Sequence, residues 1–472
     1  MKTKSYKILT LLLITTLISC DSFLTKEPIS QLTQASFWKT EKDANVGVIA
    51  IYSAFSKAMA SGLWDWGELR SDNFVANNKN AFDQQELTGN YILIDNQAAN
   101  WKNLYDVIGK ANAAIKYIPS IEMSPVLKNH YLGEAYAMRA WAYFYCVRVW
   151  GDVPLYIDPI EEISQGIYRE RTSKDIILNN VVLPDLEQAY YLIDKSNTNR
   201  IRMNVATVCA LMMDVNAWMH NYENVIKIKE EKVNSLSTSN WVLVNYGGNS
   251  FDAEWRAMFI ESVAGSIPNE VFFKIAYDQF GNGVNKSVSY FGSSSSLVYM
   301  SNSLLNVYES TDKRSSCQWL STGTERRMTK KFWKDGAVFQ NSENKEMSDN
   351  DLVLYRYADI TLLYAEALNE VGRTFDAIEY LNMTRTRAGN APYLYSSFGT
   401  KTQVLDAILN ERRKEFVGEG KRWFDLIRTN RWKEIMHPIN NMSEEWQILF
   451  PIHRDHLIQN INIKQNPGYQ GI

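Results

Sequence analysis

The recurrence of apolar residues at helical spacing over long segments is the feature that most constrains the fold of this chain. In residues 41–60, for example, Val46, Ile49, Ala50 and Phe55 follow a roughly helical spacing. The same spacing predicts further helices over 97–118, 126–150, 173–193, 205–220, 223–233, 352–371, 374–387 and 402–417. Glycine or proline ends two of them. The sequence therefore predicts an all-α dominated fold.

Two neighbouring helices, 352–371 and 374–387, have the spacing of a tetratricopeptide repeat. The small, large, glycine, small and large positions of that repeat are Ala365, Leu368, Gly372, Ala377 and Leu381. Small residues let two antiparallel helices approach closely, and Gly372 suits the turn between them. The segment 205–233 has the same layout with weaker marker residues. This pattern predicts tetratricopeptide-like helix pairs; the alternative is an irregular helical bundle.

Residues 235–351 differ from the rest of the chain. They are rich in Gly, Ser and Asn, and short β-like runs such as Glu270–Tyr277 interrupt them. We expect a loop-rich insertion with short strands, laid over the helical scaffold. Because loops on a rigid scaffold commonly carry function, this insertion is the predicted ligand region.

The first twenty residues predict the cellular location of the protein. A basic start is followed by the apolar run 8–18, which is too short to cross a membrane and ends at Cys20. We expect a signal peptide over 1–19, an acylated Cys20 as lipid anchor, a linker over 20–34 and a single domain over 35–472. The alternative is an ordinary secreted protein with an incidental cysteine. No later segment approaches eighteen uninterrupted apolar residues.

Charge and cysteine usage exclude several classes of protein. The net charge is −3 and no basic block is present, which argues against a nucleic-acid partner. Beyond Cys20, the three cysteines are scattered without a C-x-x-C pair, which indicates neither a disulfide framework nor a zinc site. They are Cys146, Cys209 and Cys317.

Motifs of catalysis are absent from the sequence. It contains no H-E-x-x-H, no G-x-S-x-G and no phosphate-binding glycine loop. His453 and His456 are three apart but lack a third ligand, so we interpret them as surface histidines. We expect no catalytic residue, no metal and no cofactor. A carboxylate pair brought together by folding, as in a glycoside hydrolase, stays open.

The densest charged cluster lies between Glu411 and Arg428. Helical spacing places Glu411 beside Lys414 and Arg422 beside Asp425. An anion site is one interpretation. We favour an ion-pair network that joins two helices, because the charges of the cluster nearly balance.

Six segments carry recognisable motifs in one order along the chain. The second ends in Arg148-x-Trp150-Gly151-Asp152-Val153-Pro154, and the fifth contains Arg422-Trp423-Phe424-Asp425-Leu426-x-Arg428. The six are Cys20–Pro28, Arg139–Pro154, Arg356–Asn369, Leu381–Gly389, Glu411–Arg428 and Leu449–Tyr469. In these motifs and their order the chain resembles the SusD/RagB family, the surface nutrient-binding lipoproteins of polysaccharide-utilisation systems.

The resemblance implies a lipid-anchored protein on the outer-membrane surface, built from tetratricopeptide-like pairs. It implies a SusC-like TonB-dependent transporter as partner, a glycan or oligosaccharide as ligand, and neither catalysis nor a cofactor. The matching motifs belong to the scaffold, so the resemblance names no binding residue. A peptide or another nutrient in the same fold, and a surface glycoside hydrolase, are the alternatives.

Candidate ligand contacts come from the chemistry of sugars, whose C–H faces stack on aromatic rings and whose hydroxyls pair with short polar side chains. Aromatic residues make up 12% of the chain, and so much Trp and Tyr suits a stacking surface as well as a core. The segment 63–73 combines both kinds of side chain and is predicted to be non-helical; if it is extended, Trp64 and Trp66 share one face. The candidates are Trp64, Trp66, Asp72, Asn73, Tyr290, Phe291 and Trp319, with packing as the alternative for each aromatic.

Overall fold

A computed structural model describes most of the chain from residue 37 onward. The described residues are 37–77, 81–161, 167–236, 243, 251–260, 268–277, 286–292, 296–318, 320–322, 325–327, 331–332, 339–340, 346–347 and 350–470. The predicted signal peptide, Cys20, the linker 20–34 and Trp319 lie outside these residues.

The amino-terminal half is built on three long helices: α1 (Glu41–Gly67), α3 (Lys102–Tyr117) and α4 (Pro125–Trp150). Thr40 caps α1, since its hydroxyl accepts a hydrogen bond from the Asp43 amide. Both α3 and α4 pack against α1. Among the described helices, α1 has the length and hydropathy to cross a membrane. Its apolar face is buried in the protein core.

Helix α1 is longer than predicted. It continues past residue 60 to Gly67, so the prediction of a non-helical segment from residue 63 is wrong for its first five residues. Gly62 lies inside this helix, and the ring of Trp66, one turn later, packs against it. A Cβ at Gly62 would come within 2.5 Å of that ring.

Further helices follow in pairs. A π-helical turn (Leu178–Val182) joins α5 (Lys174–Ile177) to α6 (Leu183–Leu192). Next come α7 (Val205–Trp218) and α8 (Tyr222–Lys227), the latter continued by a second π-helical turn (Ile228–Val233). Arg139 on α4 forms a two-pronged ion pair with Asp185 on α6. That buried pair joins the first helices to the next layer.

The predicted tetratricopeptide-like pair is confirmed as α12 (Tyr357–Glu370) and α13 (Thr374–Arg387). Its marker side chains are buried where the two helices meet. Gly372 in the turn has a φ of +87°, a conformation that suits glycine. Residues 352–356 were predicted as helix, but Leu352–Arg356 is a strand. It pairs antiparallel with Val271–Ile275, and for a short apolar run such a partner decides between strand and helix.

The insertion carries short strands, as predicted, and also short helices, which were not predicted. It contains β4 (Val271–Ile275), β5 (Val298–Met300), β6 (Leu320–Thr322), β7 (Glu325–Arg327), β8 (Phe339–Gln340) and β9 (Glu346–Met347), with β10 (Leu352–Arg356) at its end. Its helices are α9 (Phe251–Ala257), α10 (Asn302–Leu305) and α11 (Arg314–Gln318). The first half of the chain adds β1 (Phe74–Ala76), α2 (Phe82–Gly89), β2 (Val153–Pro154) and β3 (Arg171–Thr172). The described strands form five antiparallel pairs, β1–β5, β2–β3, β4–β10, β6–β7 and β8–β9.

The carboxyl-terminal helices are α14 (Lys401–Glu415), α15 (Arg422–Arg428), α16 (Trp432–Asn440) and α17 (Arg454–Gln459). The charged cluster of α14 and α15 is buried, and it forms the ion-pair network that we favoured. Glu411 contacts Lys414 at 3.1 Å, as predicted. Arg422 pairs with Asp72 rather than with Asp425, because Asp425 is held by Arg412 and Arg428.

Arg356 is a junction of this network. Its guanidinium group contacts Glu270 at 2.7 Å, Glu415 at 2.6 Å and Glu419 at 2.9 Å. All four side chains are buried. A charge without a partner would be costly there, so the insertion, the strand before α12 and the end of α14 are held in one arrangement.

Candidate functional site

The two tryptophans proposed as the best ligand contacts lie in the core. The side chain of Trp64 is fully buried, and its indole N–H donates to the carbonyl oxygen of Gly418 at 2.9 Å. Trp66 is 4% exposed and donates to the carbonyl oxygen of Ala98 at 2.8 Å. In a helix, residues two apart point about 200° away from each other, so the two rings do not share a face. In this conformation neither ring offers a surface to a ligand.

Tyr290 and Phe291 are also buried, although the structure does bring them to Trp64. Their ring centroids lie 5.1 and 5.4 Å from that of Trp64. The hydroxyl of Tyr290 donates to the carboxylate of Asp65 at 2.5 Å. These aromatic residues form a packed contact between the end of α1 and the insertion. Trp319 lies outside the described residues, so its role stays a prediction.

Asp72 and Asn73 are held by arginines of the carboxyl-terminal cluster. The carboxylate of Asp72 contacts Arg422 at 2.9 Å and Arg413 at 3.0 Å. Burial alone would raise the pKa of Asp72, but these two guanidinium groups lower it. The amide oxygen of Asn73 accepts from Arg413, and its amide nitrogen donates to Glu68. The polar groups of this segment therefore fix its position.

The pairing of β1 with β5 brings the two predicted site segments together. Val75 lies opposite Tyr299, and both side chains are on the outer face of the two-stranded sheet. The hydroxyls of Ser301 and Ser303 donate to the carbonyl oxygen of Asp72 at 2.6 and 3.1 Å. The insertion is thereby attached beside the segment that follows α1.

A cleft of about 470 Å³ lies beside this sheet, and we call it the β1 cleft. It is lined by Ser71, Asp72, Phe74, Val75, Ala76, Gln85, Thr88, Gly89, Tyr91, Ser301, Ser303, Ile439 and Asn440. This volume lies in the range of about 300–1,000 Å³ that is common for small-molecule sites. The lining includes hydroxyl and amide side chains, which can pair with ligand hydroxyls.

Tyr91 is the exposed aromatic of the β1 cleft, with 56% of its surface accessible. Asn90, which ends α2, has a φ of +55° and turns the chain so that the ring of Tyr91 lies against Gly89. The lining also contains Asn440, whose amide nitrogen donates to the carbonyl oxygen of Thr88 and so attaches the end of α16 to α2.

A larger groove of about 1280 Å³ lies between α1, α3, the segment after β2 and α17. We call it the α3 groove. Its aromatic residues are Phe37, Trp38, Trp101, Tyr105, Tyr156 and Tyr168. Tyr105 donates to the carbonyl oxygen of Pro154 at 2.5 Å. The ring of His456 stacks on Trp101 at 4.7 Å.

The histidines near the carboxyl end are buried, which corrects their interpretation as surface residues. His453 is 4% exposed and His456 is 8% exposed. Burial lowers the pKa of His456 to about 4, and its Nε2 accepts a hydrogen bond from the Trp101 amide. A neutral ring is what that hydrogen bond requires. Among the described residues, no group of three or more His, Cys, Asp or Glu side chains is placed to hold a metal ion.

Comparison with known proteins assigns the family. Residues 273–469 match the description "SusD family", and residues 22–212 match "Starch-binding associating with outer membrane". SusD-like protein P38 of Formosa agariphila is 31% identical over 99% of this chain and 100% of its own length. The chain belongs to the SusD family. SusD-like protein P2 of the same organism is 24% identical over 99% of this chain and 100% of that protein.

Solved SusD-family structures have the same fold. A SusD homologue from Bacteroides thetaiotaomicron covers 93% of this chain and 100% of its own, with a TM-score of 0.77 and 23% identity. A laminarin binding SusD-like protein covers 92% and 100%, with a TM-score of 0.75 and 21% identity. The family descriptions and SusD-like relatives support an outer-membrane location at the cell surface. The six motif segments of the sequence thus correctly identified the SusD family.

Apart from Asp72, none of the predicted ligand contacts that the structure describes lines either of the two depressions. Tyr91 and Asn440 lie in segments for which no helix was predicted, at the ends of α2 and α16. The Gly89-Asn90 pair before Tyr91 was an available signal, because this dipeptide commonly reverses the chain after a helix. Nothing in the sequence indicated that residues 85–91 and 439–440 lie together.

Proposed function

We propose that this SusD-family protein binds a glycan in the β1 cleft and does not cleave it. The observation that carries the proposal is the exposed ring of Tyr91 beside a cleft with short polar side chains. Aromatic faces stack on the C–H faces of sugars, while Ser, Thr, Asn and Gln pair with their hydroxyls. The matched description "Starch-binding" and the laminarin binding relative of the same fold support a glycan over other ligands.

The proposed role is uptake at the outer membrane. Cys20 would anchor the protein by acylation, and a SusC-like TonB-dependent transporter would receive the glycan. Support comes from the leader-like first nineteen residues and from membership of the SusD family. Extraction of membranes in mild detergent at native expression tests the partner. Co-purification of one large outer-membrane barrel with this protein is the expected result, and recovery of the protein alone contradicts it.

Binding is tested by electrophoresis in gels that contain starch, laminarin, xylan or alginate. At least one polymer should slow the wild-type protein. The matched variants are Tyr91→Ala and Tyr91→Phe. Loss of a stacking ring at a binding hot spot costs about 2 kcal/mol or more, roughly thirty-fold in affinity, whereas phenylalanine keeps the ring. Because Tyr91 is exposed, neither variant should lower the melting temperature.

Turnover separates this proposal from a glycoside hydrolase. Each retained polymer is incubated with the purified protein, and reducing ends are measured over time. We expect no release of reducing ends above that of a boiled sample. Sustained release that disappears in a variant of a nearby carboxylate would contradict the proposal.

A further inference from the structure

Gly109 occupies an unexpected position in the middle of α3. A glycine inside a helix costs about 0.5–1 kcal/mol relative to alanine, so its presence there needs a reason. Packing does not supply one, because a Cβ built at Gly109 would meet nothing within 4 Å. The residue is exposed and faces the α3 groove. A side chain at this point would occupy groove space rather than protein core.

The other side of the groove floor is also made of small residues. Gly47 on α1 allows the ring of Trp38 to lie directly on the helix, where a Cβ would come within 2.1 Å of it. The ring of Trp38 is in turn stacked on Tyr117, with ring centroids 6.0 Å apart and planes 13° apart. Trp38 is therefore held flat at one wall. Tyr168, with 57% of its surface exposed, stands at another.

The charges around the groove favour a neutral ligand. Its lining contains two basic residues, Lys102 and Lys110, and three acidic residues, Asp106, Asp158 and Asp455. Lys110 and Asp106 form an ion pair with each other. No single sign of charge dominates, so neither an anion nor a cation is selected by the field of the site. Aromatic walls with short polar neighbours suit a neutral carbohydrate.

A short segment of chain connects the β1 cleft with the α3 groove. Tyr91 lines the cleft, and Asn100 lines the groove. Between them the side chains of Leu93, Asp95 and Gln97 are exposed. The chain from 91 to 100 spans at most roughly 30 Å, so Tyr91 and Asn100 are no farther apart than that. An extended polymer of that length is long enough to reach both depressions.

We propose that the α3 groove is a second glycan-binding site, and that the ligand is an extended polysaccharide held at both places. The inference rests on the proposed function of the β1 cleft. Two weak contacts on one polymer act together, because binding at the first raises the effective concentration at the second. The polymer therefore binds more tightly than a short oligosaccharide that reaches only one site.

A pair of substitutions at Gly109 tests the groove. Gly109→Trp places a large side chain in the groove, whereas Gly109→Ala leaves the groove open. The probes are starch, laminarin, xylan and alginate, each in a separate affinity gel, and then the trisaccharide of the retained polymer in calorimetry. Gly109→Trp is expected to lower affinity for the polymer about tenfold or more relative to Gly109→Ala. Tyr168→Ala should do the same relative to Tyr168→Phe, and its exposed position spares the fold.

The outcomes separate the two proposals. Equal polymer affinity in Gly109→Trp and Gly109→Ala, with loss in Tyr91→Ala, overturns the second site and leaves the β1 cleft standing. If Gly109→Trp fails to fold, unchanged polymer affinity in Tyr168→Ala also overturns the second site. If the wild-type protein binds none of the four polymers, the proposed function is overturned as well. A trisaccharide that titrates with two sites per wild-type molecule and one per Gly109→Trp molecule supports the groove directly.

Discussion

The hydroxyl of Tyr290 donates a hydrogen bond to the carboxylate of Asp65 over 2.5 Å, and both side chains are buried. This hydrogen bond joins α1 to a residue of the insertion that lies more than two hundred positions later in the sequence. Burial raises the pKa of Asp65 to about 7, although the hydrogen bond from Tyr290 opposes that rise. Glu68, one turn later, also has its pKa raised to about 7 by burial.

These two raised pKa values predict the direction in which stability depends on pH. An unfolded carboxyl group loses its proton near pH 4, whereas the buried groups keep theirs to about pH 7. Between these values the native state binds more protons than the unfolded state. The contribution of these two carboxyl groups to the free energy of unfolding therefore decreases as pH rises through this window. Asp65→Asn cannot ionise and keeps an acceptor for Tyr290, so its stability should fall less between pH 5 and 8.

Urea denaturation of the wild-type protein and of Asp65→Asn at pH 5, 6, 7 and 8 measures this difference. The slope for one proton is at most about 1.4 kcal/mol per pH unit. Asp95→Asn is a matched control, because Asp95 is exposed. Parallel profiles for the wild-type protein and Asp65→Asn would contradict the prediction.

Trp64→Ala should cost stability. Removal of a fully buried tryptophan leaves a cavity and typically costs about 3–5 kcal/mol. It also leaves the carbonyl oxygen of Gly418 without its indole donor. Thermal unfolding followed by circular dichroism measures the loss, with Trp64→Phe as the smaller change. A Trp64→Ala variant that melts like the wild-type protein but binds glycan weakly would contradict this prediction and support Trp64 as a ligand contact.

Asp72→Asn should destabilise the segment that carries the β1 cleft. It leaves Arg413 and Arg422 buried beside a neutral amide, and breaking a buried pair in this way costs about 3–5 kcal/mol. Asp376→Asn breaks an exposed pair with Arg373 and should cost less than about 1 kcal/mol. Chemical denaturation of both variants compares the two costs. Similar values for the buried and the exposed pair would refute the structural role given to Asp72.

Replacement of Cys20 by alanine should release the protein from the membrane fraction, since the lipid is expected on that thiol. Cys146→Ala is the control, because Cys146 is a buried free cysteine within α4. Immunoblots of membrane and soluble fractions distinguish the two variants. Retention of the Cys20→Ala protein in the membrane at wild-type levels would rule out the lipid anchor.

Helix positions were predictable where one local pattern decided the outcome. The predicted helix 374–387 matches α13 at both ends. Local pattern failed at 352–356, where the apolar run pairs with a strand some eighty residues earlier. It failed again at Trp64 and Trp66, because α1 is buried on most sides near its end and shows little periodicity there. Tertiary contacts decided both cases.

The candidate site was less predictable than the fold. Its β1 cleft is assembled from four segments, 71–76, 85–91, 301–303 and 439–440. Asp72 does line the cleft, but its carboxylate serves the two arginines rather than a ligand. Composition alone can show where in the sequence a polar loop lies. It cannot show which side chains of the loop face solvent, because that depends on partners hundreds of residues away.

The contacts of Arg356 have a consequence for the order in which this protein is made. Glu270 is synthesised well before Arg356, and Glu415 and Glu419 follow later still. The buried ion pairs of Arg356 with Glu415 and Glu419 can therefore form only after nearly nine-tenths of the chain has been synthesised. A protein truncated before residue 415 would keep the Glu270 pair but leave Arg356 without its two later carboxylate partners.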